Sequence, residues 1–298
     1  MSVKVVSGSN SRHIAFPLAK KLGAEYSFVE VKKFPDGETY IRINTEVKGN
    51  DVIYVNSLQP NPNEALTETL ITIDAINEQG AKRVFAVIPY MSYARQDEMF
   101  SAGEAVSVFT VGKLFKALNV QAIYTVDMHL HRIKDPRVTF GSSLINLTGV
   151  RELSEYVRTH LNYKNRIVVG PDAEAEQWAK IMGEELGLPY VTLEKKRLSG
   201  SEVKISEKYL GVKGKDVIIV DDIISTGGTI LEAVKLLRDE DANRIAVTCT
   251  HPILAGDAYS KLKELDLELL AGTDTVLSPI SFVEIYPVFY KELKKVVG

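Results

Sequence analysis

Two adjacent carboxylates precede a stretch of small and hydroxyl-bearing residues that is suited to hold an anion. In VIIVDDIISTGGTIL, residues 217–231, strand-forming apolar residues run into Asp221 and Asp222, and Ser-Thr-Gly-Gly-Thr follows. A helical pattern comes next, with one apolar face made by Ile230, Leu231, Val234 and Leu237. Residues 225–229 are therefore predicted to turn into a helix N-terminus, where free backbone N–H groups and the helix dipole favour a phosphate.

The two carboxylates would repel that phosphate, so they are predicted to hold a different part of the same ligand. A ribose with a 5-phosphate fits, with the phosphate in the turn and hydroxyl groups or a metal ion on Asp221 and Asp222. The alternative is an exposed acidic turn beside a helix cap. A Walker loop is excluded because the lysine of that motif is missing.

The elements that must position these residues alternate between short apolar runs and amphipathic stretches. The runs predicted to be strands are VKVVSG, DVIYVNS, RVFAVIPY, QAIYTVD, RIVVGP, YVTLE, DVIIVDD (ending at Val220) and RIAVTCT. A helix is predicted over NEALTETLITIDAINEQG, with Gly80 placed to end it. Alternation of Val- and Ile-rich strands with helices predicts an α/β fold of mainly parallel sheets flanked by helices.

The pattern also repeats along the chain. Four pairs of fragments match at offsets of 161 to 165 residues, among them GNDVIYVNSL with GKDVIIVDDI and AKRVFAV with ANRIAV. We expect two similar domains, residues 1–145 and 146–298, although any two α/β halves share short fragments of this kind. The two aspartates correspond to Asn56 and Ser57 of the first copy, which also lacks the Ser-Thr-Gly-Gly-Thr turn. The anion-binding chemistry is therefore predicted in the second domain.

Composition argues against several classes of function. The 298 residues carry a net charge of −3 with acidic and basic residues interspersed, so neither nucleic acid nor a membrane surface is an expected partner. We find no signal peptide and no apolar stretch long enough to span a membrane. The single cysteine, Cys249, cannot form an intrachain disulfide and is typical of a cytoplasmic protein.

The fragment VDDIISTGGT resembles the ribose-phosphate-binding loop of the phosphoribosyltransferase fold. The commonest form of that loop has a third acid where Ser225 stands, and serine also occurs there. The resemblance implies that ribose 5-phosphate is bound by Asp221, Asp222, Ser225, Thr226, Gly227, Gly228 and Thr229. Transferases that consume phosphoribosyl pyrophosphate (PRPP) and the ribose-phosphate pyrophosphokinases that make it share this loop, so other motifs must separate them.

The fragment KFPDGETYIRI, residues 33–43, has a Pro-Asp-Gly turn between two extended runs and by itself predicts a plain hairpin. It also resembles the pyrophosphokinase element that holds adenine. The resemblance implies that Phe34 stacks on the base and that Asp36, Gly37 and Glu38 make polar contacts to it. In that family the loop often reaches the site of a neighbouring subunit.

The fragment IPYMSYARQDEMFSAGEAVS, residues 88–107, by itself indicates a surface loop after a strand. An arginine fork suits phosphate oxygens, and a glutamine amide can contact a base edge. The loop resembles the ATP-binding segment of the pyrophosphokinases, which implies ATP contacts from Arg95, Gln96 and Asp97. The usual basic run after it is replaced by EMFSAGE, a difference that bears on regulation rather than on ATP binding.

The fragment VDMHLH, residues 126–131, ends a predicted strand at Asp127 and alternates His129 and His131 onto one face. The residues alone leave open a transition-metal site or ordinary loop histidines. The fragment resembles the Asp-x-His motif of the pyrophosphokinases. The resemblance implies that His129 helps to bind Mg-ATP, and it assigns no role to His131.

The fragment LEKKRLSGSEVKIS, residues 193–206, combines three cations with Ser-Gly-Ser. It indicates either a solvated hairpin tip or a cationic lid, which would stabilise charge on a phosphoryl group in transfer. It resembles the catalytic loop of the pyrophosphokinases, which implies catalytic roles for Lys195 and Arg197. Arg197 is also expected to contact ribose 5-phosphate, whereas Lys196 has no assigned role.

The fragment VVGPDAEAEQWA, residues 168–179, resembles the pyrophosphate-binding loop of the same family. The resemblance implies that Asp172 contacts magnesium. Glu174 and Ala175 stand where many relatives have glycine, so only the aspartate is carried over.

These motifs cover nearly the whole chain in the order of the family, and together they imply a ribose-phosphate pyrophosphokinase with Mg²⁺ as its cofactor. In that reaction the anomeric hydroxyl of ribose 5-phosphate attacks the β-phosphorus of ATP, the pyrophosphoryl group moves as one unit, and PRPP and AMP form. We expect a cytoplasmic homo-oligomer, a dimer or larger. Two alternatives stay open at this point: a PRPP-using phosphoribosyltransferase and a non-catalytic regulatory paralogue.

Overall fold

Two parallel sheets organise the apolar runs of the sequence. The computed structural model describes residues 2–99, 101–130, 132–133, 135–141, 143–162, 165–193, 195–199, 202–205 and 211–297. The chain divides into a first unit, Met1–Thr148 with Glu284–Gly298, and a second unit, Gly149–Val283. Element labels follow chain order through both units.

The first unit contains a seven-stranded sheet with the order β3-β2-β1-β4-β5-β6-β7. Its strands are β1 Val3–Ser7, β2 Glu25–Lys33, β3 Thr39–Ile43, β4 Asp51–Val55, β5 Arg83–Val87, β6 Ala122–Val126 and β7 Leu144–Leu147. Its helices are α1 Arg12–Leu22, α2 Pro62–Glu78, α3 Ser107–Ala117, α4 Arg137–Phe140 and α9 Tyr286–Leu293. All ladders are parallel except that of the edge strand β3, which pairs antiparallel with β2.

The second unit contains a six-stranded parallel sheet with the order β15-β14-β13-β12-β8-β9 and a separate two-stranded ribbon, β10-β11. Its strands are β8 Arg166–Gly170, β9 Tyr190–Thr192, β10 Lys195–Ser199, β11 Glu202–Ile205, β12 Asp216–Ile224, β13 Ile245–Pro252, β14 Leu269–Thr273 and β15 Ser281–Val283. Its helices are α5 Val150–His160, the 3-10 turn Ala173–Ala175, α6 Glu176–Leu186, α7 Gly228–Asp239 and α8 Ala258–Lys263.

The α/β prediction is confirmed, and the two units repeat one plan. Six strands of the first sheet, β2-β1-β4-β5-β6-β7, correspond one by one to the six of the second, β9-β8-β12-β13-β14-β15. In both sheets the second strand along the chain lies outside the first, and the other four follow in chain order. The repeated fragments also dock in the same way. The Asp51 carboxylate at the start of β4 accepts hydrogen bonds from Arg83, the first residue of β5, and Asp216 at the start of β12 accepts them from Arg244, the residue before β13.

The end of the chain departs from the sequence prediction. The expected division after residue 145 falls close to the division in the structure, but residues 284–297, assigned above to the second domain, pack with the first unit. The reason is the apolar face of α9, where Val288, Phe289 and Leu293 are buried in one cluster with Ile14 and Leu18 of α1.

One local prediction differs from the structure. Strand β12 continues past Val220 to Ile224, because its ladder with β13 runs on to the pair Ile224 and Pro252. The segment for which the residues allowed either a solvated hairpin tip or a cationic lid contains an antiparallel ribbon, in which Lys195 pairs with Ile205 and Arg197 with Val203. A ribbon is compatible with both interpretations.

Candidate functional site

The carboxylate pair of the second unit stands where one of the two neighbours of β12 leaves the sheet. The ladder between β12 and β8 ends at Ile219, whereas the ladder with β13 continues to Ile224. Asp221 and Asp222 therefore lie beside the gap left by β8 at the carboxyl end of the sheet, which is where open α/β sheets bind ligands.

The charge environment of this pair is unfavourable in the absence of a cation. Burial raises the pKa of Asp221 well above its usual range, and the charges of Asp222 and Asp172 raise it further. Asp222 is itself buried, and its backbone N–H donates to the Asp221 carboxylate at 2.9 Å. The site is thus set up to receive positive charge or hydroxyl donors at Asp221.

The turn after the carboxylates has the geometry of an anion site. Ser225 and Thr226 lead from β12 to Gly227, which has a φ of 79° and immediately precedes α7. Glycine is required there because L-residues rarely adopt this left-handed conformation. Thr226 and Gly228 are exposed, while Ser225 and Thr229 are half-buried. The prediction that this stretch turns into a helix N-terminus is confirmed.

Asp172 lies at the carboxyl end of the neighbouring strand β8 and belongs to the same cluster of charges, since its carboxylate contributes to the raised pKa of Asp221. One carboxylate oxygen, Oδ1, accepts the N–H groups of Glu174 at 3.0 Å and Ala175 at 3.2 Å. This capping holds the turn from β8 into the 3-10 segment Ala173–Ala175. A magnesium contact of Asp172 stays a prediction.

The predicted catalytic residues Lys195 and Arg197 lie on strand β10 of the ribbon, two positions apart and on either side of Lys196. The pairing shifts between Arg197 and Ser199, so the ribbon is irregular at its far end. These are backbone positions, and the roles of the side chains stay predictions.

The predicted adenine element of the first unit is an exposed hairpin tip. Strand β2 leaves the sheet after Phe28 and continues for five residues, 29–33, paired only with β3, so the tip projects about 17 Å beyond the last pair with β1. Phe34 is 49% exposed and packs edge-to-face on Tyr40, with ring centroids 5.9 Å apart. Asp36 caps the turn by accepting the Glu38 N–H at 3.2 Å, and Gly37 has a φ of 95°.

Behind this tip a cleft of about 460 Å³ opens toward α2. Its lining is mixed in charge and polarity and comprises Lys33, Gly37, Glu38, Thr39, Asn63, Glu64, Thr67 and Ile71. Phe34 does not line this cleft.

The three residues of the Arg-Gln-Asp segment differ in exposure. Arg95 is exposed and Gln96 half-buried, so both are accessible to a ligand, whereas Asp97 is buried. The Asp97 carboxylate accepts the backbone N–H of Arg132 at 2.7 Å and lies 3.7 Å from the guanidinium of the same residue. Direct contact between Asp97 and ATP, expected from the resemblance, does not fit this inward orientation; the carboxylate instead joins two loops.

Arg132 is a residue that the sequence motifs missed. It lies just beyond the His129 segment, and its Nε also pairs with Glu98 at 2.5 Å. His129 is half-buried after the carboxyl end of β6, and β6 is the direct neighbour of β5. The loops carrying Arg95 and His129 therefore follow adjacent strands and are tied together by Asp97 and Arg132. His131 lies outside the described residues.

In the first unit, the position that corresponds to the carboxylate site is occupied by side chains of that unit. Asn56, which corresponds to Asp221, donates to the buried Glu68 carboxylate at 3.3 Å, and Ser9 N–H donates to the same oxygen at 2.8 Å. Ser57 N–H is taken by the Ser11 hydroxyl at 2.7 Å. Side chains of the unit itself thus fill the position that the second unit leaves open.

No group of three or more His, Cys, Asp or Glu side chains forms a ready-made metal cage among the residues that the structure describes. Within the same residues, no helix combines the length and the apolar character that crossing a membrane requires.

Comparison with known proteins identifies both units. A family model for the N-terminal domain of ribose phosphate pyrophosphokinase matches residues 3–118, and a model for the phosphoribosyl transferase domain matches residues 143–279. The ribose-phosphate pyrophosphokinase of Methanopyrus kandleri is 39% identical over 95% of this chain and 96% of its own. Ribose-phosphate pyrophosphokinase 1 of Archaeoglobus fulgidus is 38% identical over 98% of this chain and 99% of its own.

A solved structure gives the same result. The phosphoribosylpyrophosphate synthetase of Mycobacterium smegmatis superposes with a TM-score of 0.87, at 28% identity and with 99% of both chains covered.

Proposed function

The chain belongs to the ribose-phosphate pyrophosphokinase family, and from that premise we propose how its residues divide the reaction. The activity is transfer of the pyrophosphoryl group of ATP to the C1 hydroxyl of ribose 5-phosphate, which gives PRPP and AMP. The second unit holds the sugar phosphate, and the first unit holds ATP.

The acceptor is held by Asp221, Asp222 and the turn 225–229. The observation that carries this assignment is the position of the half-buried Asp221 and the buried Asp222 shortly before a helix N-terminus, at the carboxyl end of a parallel sheet. The backbone N–H groups and hydroxyls of the turn bind the 5-phosphate. The carboxylates accept the ribose hydroxyls, which fixes the C1 hydroxyl for attack on the β-phosphorus.

ATP is held by Phe34 and its neighbours Asp36, Gly37 and Glu38 at the base, and by Arg95 and Gln96. Asp97 does not contact ATP itself but positions the loop that carries Arg95 and Gln96. The hairpin and the Arg95 loop follow strands β2 and β5, which are three strand spacings apart, about 14 Å. Because the tip also projects out of the sheet with an exposed aromatic ring, we propose that it completes the ATP site of another copy of the chain and that the enzyme is a homo-oligomer.

The charge that develops on the migrating group is stabilised by Lys195 and Arg197. Transfer of a phosphoryl-type group requires little covalent chemistry from the protein, so fixed positive charge supplies most of the catalysis. Arg197 also contacts the sugar phosphate, because a planar guanidinium binds phosphate oxygens through two hydrogen bonds.

Magnesium fits the residues present. The raised pKa of Asp221 beside Asp222 and Asp172 marks a site whose carboxylates gain from a hard cation. Asp172 would bind magnesium at the acceptor site of the second unit, and His129 would help to bind Mg-ATP in the first unit. The absence of a three-ligand cage in the described part of the chain suits Mg²⁺, which is commonly held by one or two carboxylates, waters and substrate phosphates. When bound, the ion neutralises phosphate charge.

We place the reaction in the cytoplasm, where the lone and buried thiol of Cys249 stays reduced. Cell fractionation followed by the activity assay tests this placement, and recovery of the activity outside the cytoplasm would contradict it.

The direct test measures AMP and PRPP from ATP and Mg²⁺, with and without ribose 5-phosphate. We expect AMP only when the sugar phosphate is present, with PRPP in equal amount. AMP without PRPP would refute the assigned acceptor. No turnover with both substrates would indicate a regulatory paralogue, and turnover from PRPP and a nucleobase without ATP would indicate a transferase.

Mixed oligomers test the shared ATP site. Phe34→Ala and Arg95→Ala are purified separately and mixed under conditions of subunit exchange. If the base is held between two copies, mixed dimers regain one intact site of two, and activity rises to about a quarter of wild type. If one copy supplies both residues, the mixture has only the mean activity of the two variants.

A further inference from the structure

A short segment outside the motifs lies directly against the phosphate-binding turn. Residues 253–257 connect β13 to α8. Leu254 N–H donates to the carbonyl of Ile224 at 3.0 Å, and Ala255 N–H donates to the carbonyl of Ser225 at 2.9 Å. These two hydrogen bonds extend the association of β13 with β12 past its last ladder pair and up to the first residue of the turn.

The segment holds this position in a backbone conformation that its sequence does not favour. Leu254 has a φ of 50°, in the left-handed region that is uncommon for a bulky side chain. Such outliers persist where the surrounding structure enforces them, and they concentrate at functional sites. Here the left-handed turn directs two successive N–H groups, those of Leu254 and Ala255, at two successive carbonyls.

The consequence for the ligand site follows from the planarity of the peptide bond. In a trans peptide the carbonyl and the N–H of the next residue point in opposite directions. Fixing the carbonyls of Ile224 and Ser225 toward Leu254 and Ala255 therefore turns the N–H groups of Ser225 and Thr226 away from that segment. We propose that Leu254 and Ala255 are positioning residues whose backbone N–H groups aim the donors of the turn at the 5-phosphate.

The segment is itself anchored at both ends. At its start, Ile253 N–H donates to the His251 carbonyl at 3.0 Å, and the His251 ring is buried with its Nδ1 2.8 Å from the Thr275 hydroxyl. At its end, α8 packs under the turn: a Cβ added to Gly227 would lie 3.6 Å from Leu262 and 3.7 Å from Ala258. The two hydrogen bonds from Leu254 and Ala255 to the turn, called the clamp below, are thus held in place at the carboxyl end of the sheet.

This inference rests on the proposed phosphate site, and it is tested by a change of side-chain branching. Leu254→Ile keeps the volume and apolar character of the residue, but a β-branched side chain strongly opposes a positive φ. The matched control is Leu267→Ile, since Leu267 packs half-buried on the same apolar cluster and is not at a positive φ. Binding of ribose 5-phosphate is measured by calorimetry, and KM for both substrates by initial rates.

We expect Leu254→Ile to weaken binding of ribose 5-phosphate by about fivefold to tenfold, because fewer molecules hold the clamped turn. The KM for ATP stays within about twofold of wild type, and Leu267→Ile changes neither value. A Leu254→Ile protein that binds the sugar phosphate as tightly as wild type, or that loses affinity for both substrates equally, overturns the inference.

Three further variants keep the test decisive. If Leu254→Ile does not fold, Leu254→Ala and Leu254→Gly are compared, because both remove the leucine side chain beyond Cβ. Only glycine adopts the left-handed conformation freely, so the Leu254→Ala protein must bind ribose 5-phosphate more weakly than the Leu254→Gly protein. Thr229→Val separates the clamp from the site itself. If Thr229→Val weakens binding while the Leu254 variants do not, the clamp is refuted and the phosphate site stands; if none does, the phosphate site is refuted with it.

Discussion

The exposed ring of Phe34 offers a sharp test of the ATP site, because its removal affects binding far more than folding. The side chain is 49% exposed, and its described aromatic contact is the edge-to-face pair with Tyr40. We therefore expect Phe34→Ala to lower the free energy of unfolding by less than about 1 kcal/mol. Stacking of a base on an aromatic ring contributes about 1–3 kcal/mol, so affinity for ATP falls at least about fivefold and up to about a hundredfold.

The assay is AMP release at saturating ribose 5-phosphate, together with ATP binding by calorimetry, because KM alone mixes binding with turnover. Phe34→Trp preserves a stacking surface and should retain affinity. Phe28→Ala is the matched control: Phe28 is 42% exposed on the same strand but lies within the sheet, under the guanidinium of Arg12. Equal ATP affinity in Phe34→Ala and wild type, or an equal loss in Phe28→Ala, would refute the assignment.

Three further outcomes follow from the second unit. Lys195→Ala should lower kcat more than about a hundredfold while calorimetry still detects ribose 5-phosphate binding, and an intact kcat would exclude the role. The raised pKa of Asp221 means that the folded protein binds more protons than the unfolded chain above pH 3.8, so stability falls as the pH rises through that window. Asp221→Asn should therefore melt higher than the ligand-free wild type at pH 7, with the difference vanishing below about pH 4, and should lose the sugar phosphate; equal melting at pH 7 would contradict this. Arg244 lowers the pKa of Asp216, whose contribution is present above pH 3.8 and lost at lower pH. Asp216→Asn should cost about 1–2 kcal/mol in urea unfolding followed at Trp178, the single tryptophan, after allowance for the partly exposed arginine; no change at pH 7 would contradict the pair's importance.

Periodicity and residue type predicted the frame of the fold. The eight predicted strands are all present, and so is the helix α2, which ends at Glu78 just before Gly80. Most of these elements are apolar runs bounded by turn residues, for which local pattern and burial agree. Strands β7, β14 and β15 were not predicted, because LINL and SFV have only four and three residues and LLAGT contains a glycine, which is uncommon in strands.

The site was predictable where side chains carry the chemistry and not where the backbone or a distant residue does. Asp221, Asp222 and the turn 225–229 were predicted from their types and spacing, and the structure places them at the carboxyl end of β12 and the start of α7. The inward orientation of Asp97 was not, because it depends on Arg132, which follows another strand. Leu254 escapes any motif, since its contribution is the direction of a backbone N–H group that a leucine side chain does not reveal.

The repeat explains how one sheet plan can serve two different tasks. At the amino ends of the central strands both units use the same aspartate–arginine pair, Asp51 with Arg83 and Asp216 with Arg244. That pair fixes the register of neighbouring strands at the edge opposite to the ligand sites, so residues at the carboxyl ends can change without loss of the frame. In the second unit those ends carry exposed residues of the turn and a crowded carboxylate pair, in which burial and the charges of Asp222 and Asp172 raise the pKa of Asp221. In the first unit Glu68 takes up the donors that the same position presents, so that unit is free to contribute loops from adjacent strands instead.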